Sequence, residues 1–297
     1  MKTIALREGM RIGGGRYELE SRLGRGSMAE VWCARDDKIG RPVAIKVVSE
    51  VLAPSELAHR RFAVEVAAIG RIHHPNVVSL FGSGTLADER PFLVMEYVGG
   101  EVLSTYLERK GRVGAYTAWM IGRQLLAGLG AAHAEHIIHR DLKPANVLIA
   151  QLPSGHRRIK ILDFGVARII ERSVTVEKTR LTQSGTMLGS PRYMCLEVAR
   201  GATDVDERAD IFAVGAVLYD ALAGRPPFTG TAIGEVIQKI IHHDFPPLIE
   251  LRPDLPESLL QAINRAMAHD KQDRFQSAEE MQAELDAHPI EPQRRES

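Results

Sequence analysis

One ten-residue stretch, 139–148, holds the side chains whose types and spacing are best suited to chemistry. It reads His-Arg-Asp-Leu-Lys-Pro-Ala-Asn-Val-Leu, and apolar residues precede and follow it. Charged groups held between buried segments are costly unless they are paired or used. Asp141 and Asn146 lie five residues apart, so a tight loop could aim both side chains at one point. A carboxylate that accepts a proton and an amide oxygen that ligates a metal fit that arrangement.

Composition limits the classes of protein to consider. The chain has 297 residues, of which 44% are hydrophobic, enough for one large domain or two coupled lobes. Its 38 basic and 38 acidic residues balance, which argues against a nucleic-acid partner bound through bulk charge. No apolar run is long enough to span a bilayer and no signal-peptide core is present, so we expect no membrane segment. Two cysteines without metal spacing fit a reducing compartment, so we expect a cytoplasmic protein.

The N-terminal third predicts strands with one helix among them. Residues 1–15, which end in three glycines, are expected to form a flexible leader. A glycine cluster at 24–29 could let a hairpin backbone approach phosphates closely, although such clusters also occur in plain turns. Strands are predicted over 17–23, 31–34, 41–48, 77–80 and 92–97.

The helix predicted after Pro54 carries an unexpected carboxylate. Glu65, Val66 and Ile69 share one face at helical spacing, so Glu65 lies on an apolar stripe. A cationic partner such as Lys46, which ends the apolar run Val-Ala-Ile-Lys, would explain it. The alternative for Lys46 is an edge-strand lysine that faces water.

After two glycines at 99–100 the pattern becomes mainly helical, which marks a domain boundary. A short strand over 159–162 ends at Asp163, and the glycine two residues later suits either a cation site or a plain turn. Residues 166–189 have no strong period, which predicts a long mobile segment; such segments are usually functional or disordered. Helices are predicted over 101–109, 116–135, 208–223, 232–242, 256–268 and 277–287.

Taken in order, these motifs resemble those of the protein kinase catalytic domain, in particular the bacterial eukaryotic-like (Hanks-type) serine/threonine kinases. The resemblance covers nearly the whole chain. The matching features are the glycine loop, Val-Ala-Ile-Lys, the helix glutamate, His-Arg-Asp, Asp-Phe-Gly and a terminal arginine, Arg274. A single such motif arises by accident more easily than all of them in sequence.

The resemblance implies an α+β, bilobal protein-kinase-like fold. A small antiparallel-sheet N-lobe with one main helix would span 16–98, and a larger, mainly helical C-lobe would span 99–287. The implied hinge lies at about 96–100 and the implied activation segment at 163–197. Residues 288–297 would form a flexible tail.

The resemblance also implies how the site would work. Asp141 would accept the proton of the substrate hydroxyl, and Lys143 would offset charge at the γ-phosphate. Asn146 and Asp163 would bind Mg²⁺, for which Mn²⁺ is a substitute. ATP would be held by Leu23, Gly24, Arg25, Gly26, Ser27, Val31, Ala44, Lys46, Glu65, Met95, Glu96, Val98 and Leu148.

The expected acceptors are serine and threonine hydroxyls of proteins, because Asp-Leu-Lys-Pro and Gly-Ser-Pro resemble that class. Arg140 resembles the arginine of kinases that are switched on by phosphorylation of the activation loop. Thr182, Ser184 and Thr186 are the candidate acceptors there. We expect the chain to phosphorylate itself in trans, an encounter that a homodimer would provide.

Other matched positions are expected to be architectural. Glu197 and Arg274 should form a buried ion pair, and His139 should pack in a column anchored by Asp210. The family's Ala-Pro-Glu is Cys-Leu-Glu here, which puts the order of the substrate-binding turn in doubt. Cys195 is read as a small buried residue, with a redox-sensitive thiol as the alternative.

Two other functions compete with a protein kinase. A pseudokinase would bind nucleotide or partners without turnover, but Lys46, Asp141, Asn146 and Asp163 are all present. A small-molecule kinase of the aminoglycoside type would share the aspartate loop. The Gly-Ser-Pro segment and the expected Glu197–Arg274 pair favour a protein substrate instead.

Overall fold

A computed structural model of the chain describes residues 3–26, 29–48, 56–152, 154–155, 157–164 and 191–292, without the side chains of 56–59 and 61. These residues form two compact units. The first holds the chain up to His74 and Val78–Gly99. The second holds Pro75–Val77, Gly100–Phe164 and the residues from 191 onward.

The first unit is an antiparallel sheet with one helix, α1 (Glu56–Ile69). Its strands, in the spatial order β1-β2-β3-β4-β6-β5, are β1 (Arg11–Ile12), β2 (Tyr17–Arg25), β3 (Ala29–Asp36), β4 (Arg41–Val48), β5 (Leu80–Thr85) and β6 (Pro91–Glu96). Val43, Ile45 and Val47 alternate along β4 and are almost fully buried in one apolar cluster. The strand predicted over 77–80 is misplaced, because β5 begins only at Leu80.

The expectation that residues 1–15 form a flexible leader is wrong for the described part of that segment. β1 pairs with β2, and Gly9 N donates to Leu19 O at 2.8 Å. Leu6 and Met10 pack against the apolar cluster of the sheet. Apolar residues at even positions (4, 6, 10 and 12) give the period of a strand, so burial of one face explains the order.

A buried ion pair fixes the start of this segment. Asp88 and Arg90 have side chains only 2% and 7% exposed, and Arg90 Nε donates to Asp88 Oδ2 at 2.9 Å. Ile4 N donates to Asp88 Oδ2 at 2.8 Å, and Arg90 Nη2 donates to Ile4 O. Burial opposes ionisation of Asp88, but the bonds from Arg90 and Ile4 outweigh it and lower its pKa.

The second unit contains a three-stranded antiparallel sheet of β7 (Gly100–Val102), β8 (Val147–Gln151) and β9 (Arg157–Ile161). The sequence did not predict β7 or β8. The helix expected from 101 starts at Leu103, because the three preceding residues pair with β8. A Cβ on Gly100 would lie 2.4 Å from Ile149 O, so this approach requires glycine.

Helices make up most of the second unit, which confirms the expected α+β architecture with its mainly helical second part. They are α2 (Leu103–Lys110), α3 (Ala115–Ala134), α4 (Leu196–Ala199), α5 (Arg208–Ala223), α6 (Ile233–His242), α7 (Leu248–Leu251), α8 (Glu257–Ala266) and α9 (Ala278–Ala287). Of the tail predicted after α9, residues 293–297 lie outside the described residues. Within the described ranges, no helix has the length and apolar character needed to cross a membrane.

Helix α5 forms the centre of this unit. Every residue from Ala209 to Leu222 is buried, which is typical of a helix that is covered on all sides. Gly122 of α3 lies against Leu218, and Gly215 lies against Met267, so these glycines permit close packing. Helix α5 is therefore the support on which the loops of this unit are mounted.

The tripeptide Pro75–Val77 joins the second unit through backbone pairing. Asn76 Nδ2 donates to Ile159 O at 2.7 Å, and Ile161 N donates to Asn76 O at 2.8 Å. Asn76 Nδ2 also donates to Gln124 Oε1 of α3 at 3.0 Å. These bonds explain why a segment expected to start a strand of the first sheet lies beside β9.

We expect Arg90→Met to destabilise the chain by about 3–5 kcal/mol, because it leaves the Asp88 carboxylate buried without its cation. Urea denaturation measures the free energy of unfolding. Arg35→Met is the matched control. The wild-type Arg35 side chain is 49% exposed in an ion pair with Glu18, so the loss of this pair should cost at most about 1 kcal/mol. Equal stability of the two variants would contradict the buried clamp.

Candidate active site

The loop from His139 to Asn146 is held by a buried carboxylate of α5. Asp210 is 0% exposed, and its oxygens accept from the backbone N of His139 and of Arg140, both at 2.8 Å. Arg140 has φ 62°, a left-handed conformation that a non-glycine residue rarely adopts. The carboxylate thus holds the loop backbone in a strained geometry just before Asp141.

The ring of His139 connects this loop to the residues before Asp163. Its Nε2 lies 2.8 Å from Leu162 O, and its Nδ1 lies 3.3 Å from Asp141 N. Because a carbonyl oxygen can only accept, Nε2 donates, and Nδ1 accepts from the amide of Asp141. The ring also packs on Phe164, 4.8 Å between centroids. The prediction that His139 is a packed residue anchored by Asp210 is confirmed, and both ring nitrogens are occupied.

Asp141, Lys143 and Asn146 converge as their spacing predicted. Lys143 Nζ lies 3.0 and 2.8 Å from the two carboxylate oxygens of Asp141. Asn146 Nδ2 donates to the carbonyl oxygen of Asp141 at 2.7 Å and to its Oδ2 at 3.1 Å. The Asp141 side chain is 35% exposed, so the carboxylate can reach a substrate from this supported position.

The two predicted metal ligands are held on one hydrogen-bonded frame. Leu162 N donates to Asn146 O at 2.9 Å, and Asp163 follows directly with φ 56°. Among the described residues, Asn146 donates through Nδ2, which leaves its oxygen for a cation. No group of three His, Cys, Asp or Glu side chains in these ranges could hold a metal alone. The two residues offer one amide oxygen and one carboxylate oxygen, ligand types that hard divalent cations take together with water and phosphate oxygens.

Four of the nucleotide-binding residues predicted in the first unit share one sheet face. Val31 pairs in register with Lys46, and Ala44 pairs with Met95. Because side chains alternate, these four lie opposite the face of the apolar cluster that contains Ile45. Whether Glu65 of α1 pairs with Lys46, as the sequence predicts, stays a prediction.

The glycine-rich hairpin lies between β2 and β3. Gly24 pairs with Val31, Arg25 pairs with Glu30, and Gly26 N donates to Ala29 O at 2.9 Å. A register shift falls between Arg22 and Gly24, next to the half-exposed Leu23. A register shift of this kind is an irregularity that bends a strand locally.

The remaining predicted residues are spread over both units and beyond the described ranges. Met95 and Glu96 end β6, Val98 follows them, and the nearly buried Leu148 lies on β8 of the second unit. The predicted residues outside the described ranges are Ser27, Thr182, Ser184 and Thr186.

The predicted ion pair between Glu197 and Arg274 is confirmed. Arg274 Nη1 and Nη2 lie 2.7 and 3.1 Å from the two Glu197 oxygens, and the Arg274 side chain is 0% exposed. Arg274 also donates to Arg208 O at 3.2 Å, which joins the pair to the start of α5. Burial opposes ionisation of Glu197, but Arg274 outweighs it and lowers the pKa of that carboxyl.

Cys195 is buried, as the first interpretation held. It is 1% exposed, and burial followed by the nearby Glu197 charge raises the pKa of its thiol to about 12. The thiol therefore stays protonated at neutral pH. A protonated, inaccessible thiol is a poor target for oxidation, which disfavours the redox alternative.

Sequence reasoning missed two polar contacts of α5. His133 Nε2 lies 2.9 Å from Asp210 Oδ2, and Tyr193 Oη donates to Asp220 Oδ2 at 2.7 Å. The available signal was the placement of His133 and Asp220 inside helices that are otherwise apolar, where a polar group needs a partner.

Comparison with known proteins agrees with this geometry. The profile of the protein kinase domain matches residues 17–285. The probable serine/threonine-protein kinase PknB of Bifidobacterium longum is 35% identical over 92% of this chain and 40% of its own length. Serine/threonine-protein kinase PknB of Mycobacterium tuberculosis is 36% identical over 91% of this chain and 42% of its own length. The chain thus spans less than half the length of these curated relatives.

Two solved structures are similar to this chain. The Mycobacterium tuberculosis PknI kinase domain has a TM-score of 0.73 and 26% identity, covering 96% of this chain and 99% of that one. Rad53 residues 1–466 in complex with AMP-PNP has a TM-score of 0.72 and 26% identity, covering 91% of this chain and 64% of that one.

We expect Glu197→Gln to lower the free energy of unfolding by about 3–5 kcal/mol, because Arg274 is left buried without a counter-charge. The matched control is Glu284→Gln. The Glu284 side chain is 43% exposed, so this substitution should cost at most about 1 kcal/mol.

Because the pKa of Glu197 is lowered by folding, the contribution of its carboxylate to stability is present above the usual glutamate pKa. That contribution is lost as pH falls through the lowered value. Denaturation at several pH values should show the stability difference between wild type and variant shrinking in acid.

Proposed function

This chain belongs to the protein kinase family, as a catalytic domain of the bacterial serine/threonine type, and we propose that it transfers the γ-phosphoryl group of ATP to protein hydroxyls. The observation that carries the proposal is the convergence of Lys143 and Asn146 on Asp141, on a loop fixed from α5. Phosphoryl transfer depends chiefly on positioning and electrostatics, which such a fixed loop supplies.

In the proposed reaction Asp141 accepts the hydrogen bond, and then the proton, of the substrate hydroxyl. Asn146 and Lys143 hold its carboxylate in place, because each donates to it. The ammonium group of Lys143 would also offset negative charge on a phosphoryl group bound near Asp141. Asp141, held in this way, would orient the hydroxyl oxygen for its attack on the phosphoryl group.

ATP and a divalent cation, Mg²⁺, are the proposed cofactors. In the first unit, Lys46 would bind phosphates, and Val31, Ala44 and Met95 would contact the base. In the second unit, Asn146 and Asp163 would ligate the metal, and Leu148 would give apolar contact. The bound metal supplies neutralisation of phosphate charge. AMP-PNP in the similar Rad53 structure supports ATP as the nucleotide.

Serine and threonine side chains of proteins, including a second copy of this chain, are the proposed acceptors. Activation-loop phosphorylation in trans would use an encounter between two copies. The two cysteines are free thiols, which supports a reducing, cytoplasmic setting. A pseudokinase is not favoured, because Lys46, Asp141, Asn146 and Asp163 are all retained.

We expect Asp141→Asn to reduce phosphate transfer to a generic basic protein by about 100-fold or more, since it removes the proton acceptor while keeping the side-chain shape. Incorporation of labelled phosphate from ATP with Mg²⁺ measures the rate. Asp244→Asn, at an exposed position after α6, is the matched control and should keep full activity. A wild type without transfer to itself or substrate would refute the proposed function. Undiminished label with the Asp141 variant would identify a contaminating kinase.

Autophosphorylation should appear between residues 166 and 189, at one or more of Thr182, Ser184 and Thr186. Phosphopeptide mass spectrometry of protein incubated with ATP and Mg²⁺ measures it, with the Asp141→Asn protein as the negative control. Mixing a tagged Asp141→Asn chain with active wild type tests transfer in trans. Active wild type without phosphate in this segment would exclude the proposed activation step.

A further inference from the structure

A short 3₁₀ turn, Pro191–Tyr193, precedes α4 and carries an exposed arginine, Arg192, at its centre. Pro191 is buried, and Tyr193 Oη donates to Asp220 Oδ2 of α5 at 2.7 Å. Met194 N donates to Pro191 O at 3.0 Å and closes the turn. The residues on both sides of Arg192 are therefore fixed to the second unit, while its own side chain is open to solvent.

This turn lies next to the proposed proton acceptor. Tyr193, Met194 and Cys195 line the same small cavity as Asp141 and Lys143. An extended acceptor segment advances about 3.3 Å per residue. When its hydroxyl reaches Asp141, the residues a few positions away along the segment therefore pass over the turn.

The charge of Arg192 is not compensated by the part of the chain that the structure describes. Arg192 has no hydrogen bond or ion pair there, and a guanidinium keeps its charge at neutral pH. Asp141 and Glu197, the acids of the neighbouring segments, each form an ion pair with another residue. Burial raises the pKa of Asp220, and its attraction to Arg192 offsets only part of that rise. The positive charge of Arg192 is therefore available to a partner.

We propose that Arg192 selects the protein substrate by binding an acidic side chain close to the acceptor serine or threonine. The inference rests on the proposed function and gives its substrate class, which is segments with aspartate or glutamate near the hydroxyl. A guanidinium binds a carboxylate through two parallel N–H bonds. Because the turn is already fixed, little freedom of its backbone is lost when the substrate binds.

A set of peptides measures this preference. Each peptide has one serine in an otherwise uncharged sequence, with glutamate or lysine placed in turn at every flanking position. With saturating ATP and Mg²⁺, kcat/KM of the wild type should be about tenfold higher for glutamate than for lysine at one or more positions. That is the factor expected for a hydrogen bond between charged groups. High salt should weaken the preference, because exposed charges are screened.

Charge reversal separates direct contact from a change in the shape of the turn. Arg192→Glu should reverse the preference at the same positions, because the new carboxylate attracts lysine and repels glutamate. Arg192→Gln should abolish the preference in both directions. Arg7→Glu, the same reversal at an exposed arginine of the first unit, is the matched control and should keep the wild-type preference.

The peptide preference and the proposed function can fail separately. Equal kcat/KM for glutamate and lysine peptides, in a wild type that phosphorylates the basic protein, would overturn this inference and leave the proposed function intact. A glutamate preference that Arg192→Glu leaves unchanged would also overturn it.

Binding without turnover covers a wild type that transfers no phosphate. Fluorescently labelled peptides with alanine in place of the serine report their affinity for wild type and Arg192→Glu by anisotropy. The wild type should bind the glutamate peptide more tightly than the lysine peptide, and the variant should bind them in the opposite order. That result in an inactive wild type would refute the proposed function and support the recognition of acidic segments. Equal binding of the two peptides by the wild type would overturn the recognition itself.

Discussion

The candidate active-site loop depends on the hydrogen bonds that the buried carboxylate of Asp210 accepts. A charge that is 0% exposed persists only if donors surround it. The backbone amides of His139 and Arg140 meet that need, so the chain must turn through an unusual conformation just before Asp141. The ring of His139 then passes the same constraint to Leu162, whose amide is bonded to Asn146 O. One carboxylate thus fixes the proposed base, Asp141, and two candidate metal ligands.

Helix α5 makes this constraint possible because it is covered on all sides and carries anchors near both ends. Asp210 stands in its first turn, and Asp220, near its C-terminal end, accepts from Tyr193. Arg274 donates to the carbonyl of Arg208 and pairs with Glu197. The segments on either side of the 165–190 gap in the described chain are therefore tied to the same rigid helix. Rigid support of this kind gives loops the accuracy that positioning catalysis needs.

Local pattern predicted most of the elements, and long-range pairing explains the failures. β4 lies over the predicted 41–48, because a run of β-branched residues there can only be covered by a sheet. Residues 100–102 form β7 because β8, 46 to 50 residues later, pairs with them, and no local pattern shows such a partner. The three glycines at 13–15 indicated a flexible leader, so the strand period of the preceding residues, which include β1, was missed. The convergence of Asp141 and Asn146 was readable because their spacing is local. The contact of His133 with Asp210 was not, since the two residues lie 77 positions apart in the sequence.

Compared with the Ala-Pro-Glu of the family, the Cys-Leu-Glu sequence at 195–197 affects the unfolded chain more than the folded one. Cys195 is the N-cap of α4 and Leu196 its first helical residue. Proline is favoured at a first helical position because its φ is preset and the missing N–H has no intrahelical partner. Leucine there keeps the same helical start and surrenders only the restriction that proline places on the denatured ensemble, about 0.4–1 kcal/mol. In the folded chain the Glu197–Arg274 pair keeps the geometry of the turn. The extra conformational freedom of leucine relative to proline is therefore gained only in the unfolded chain.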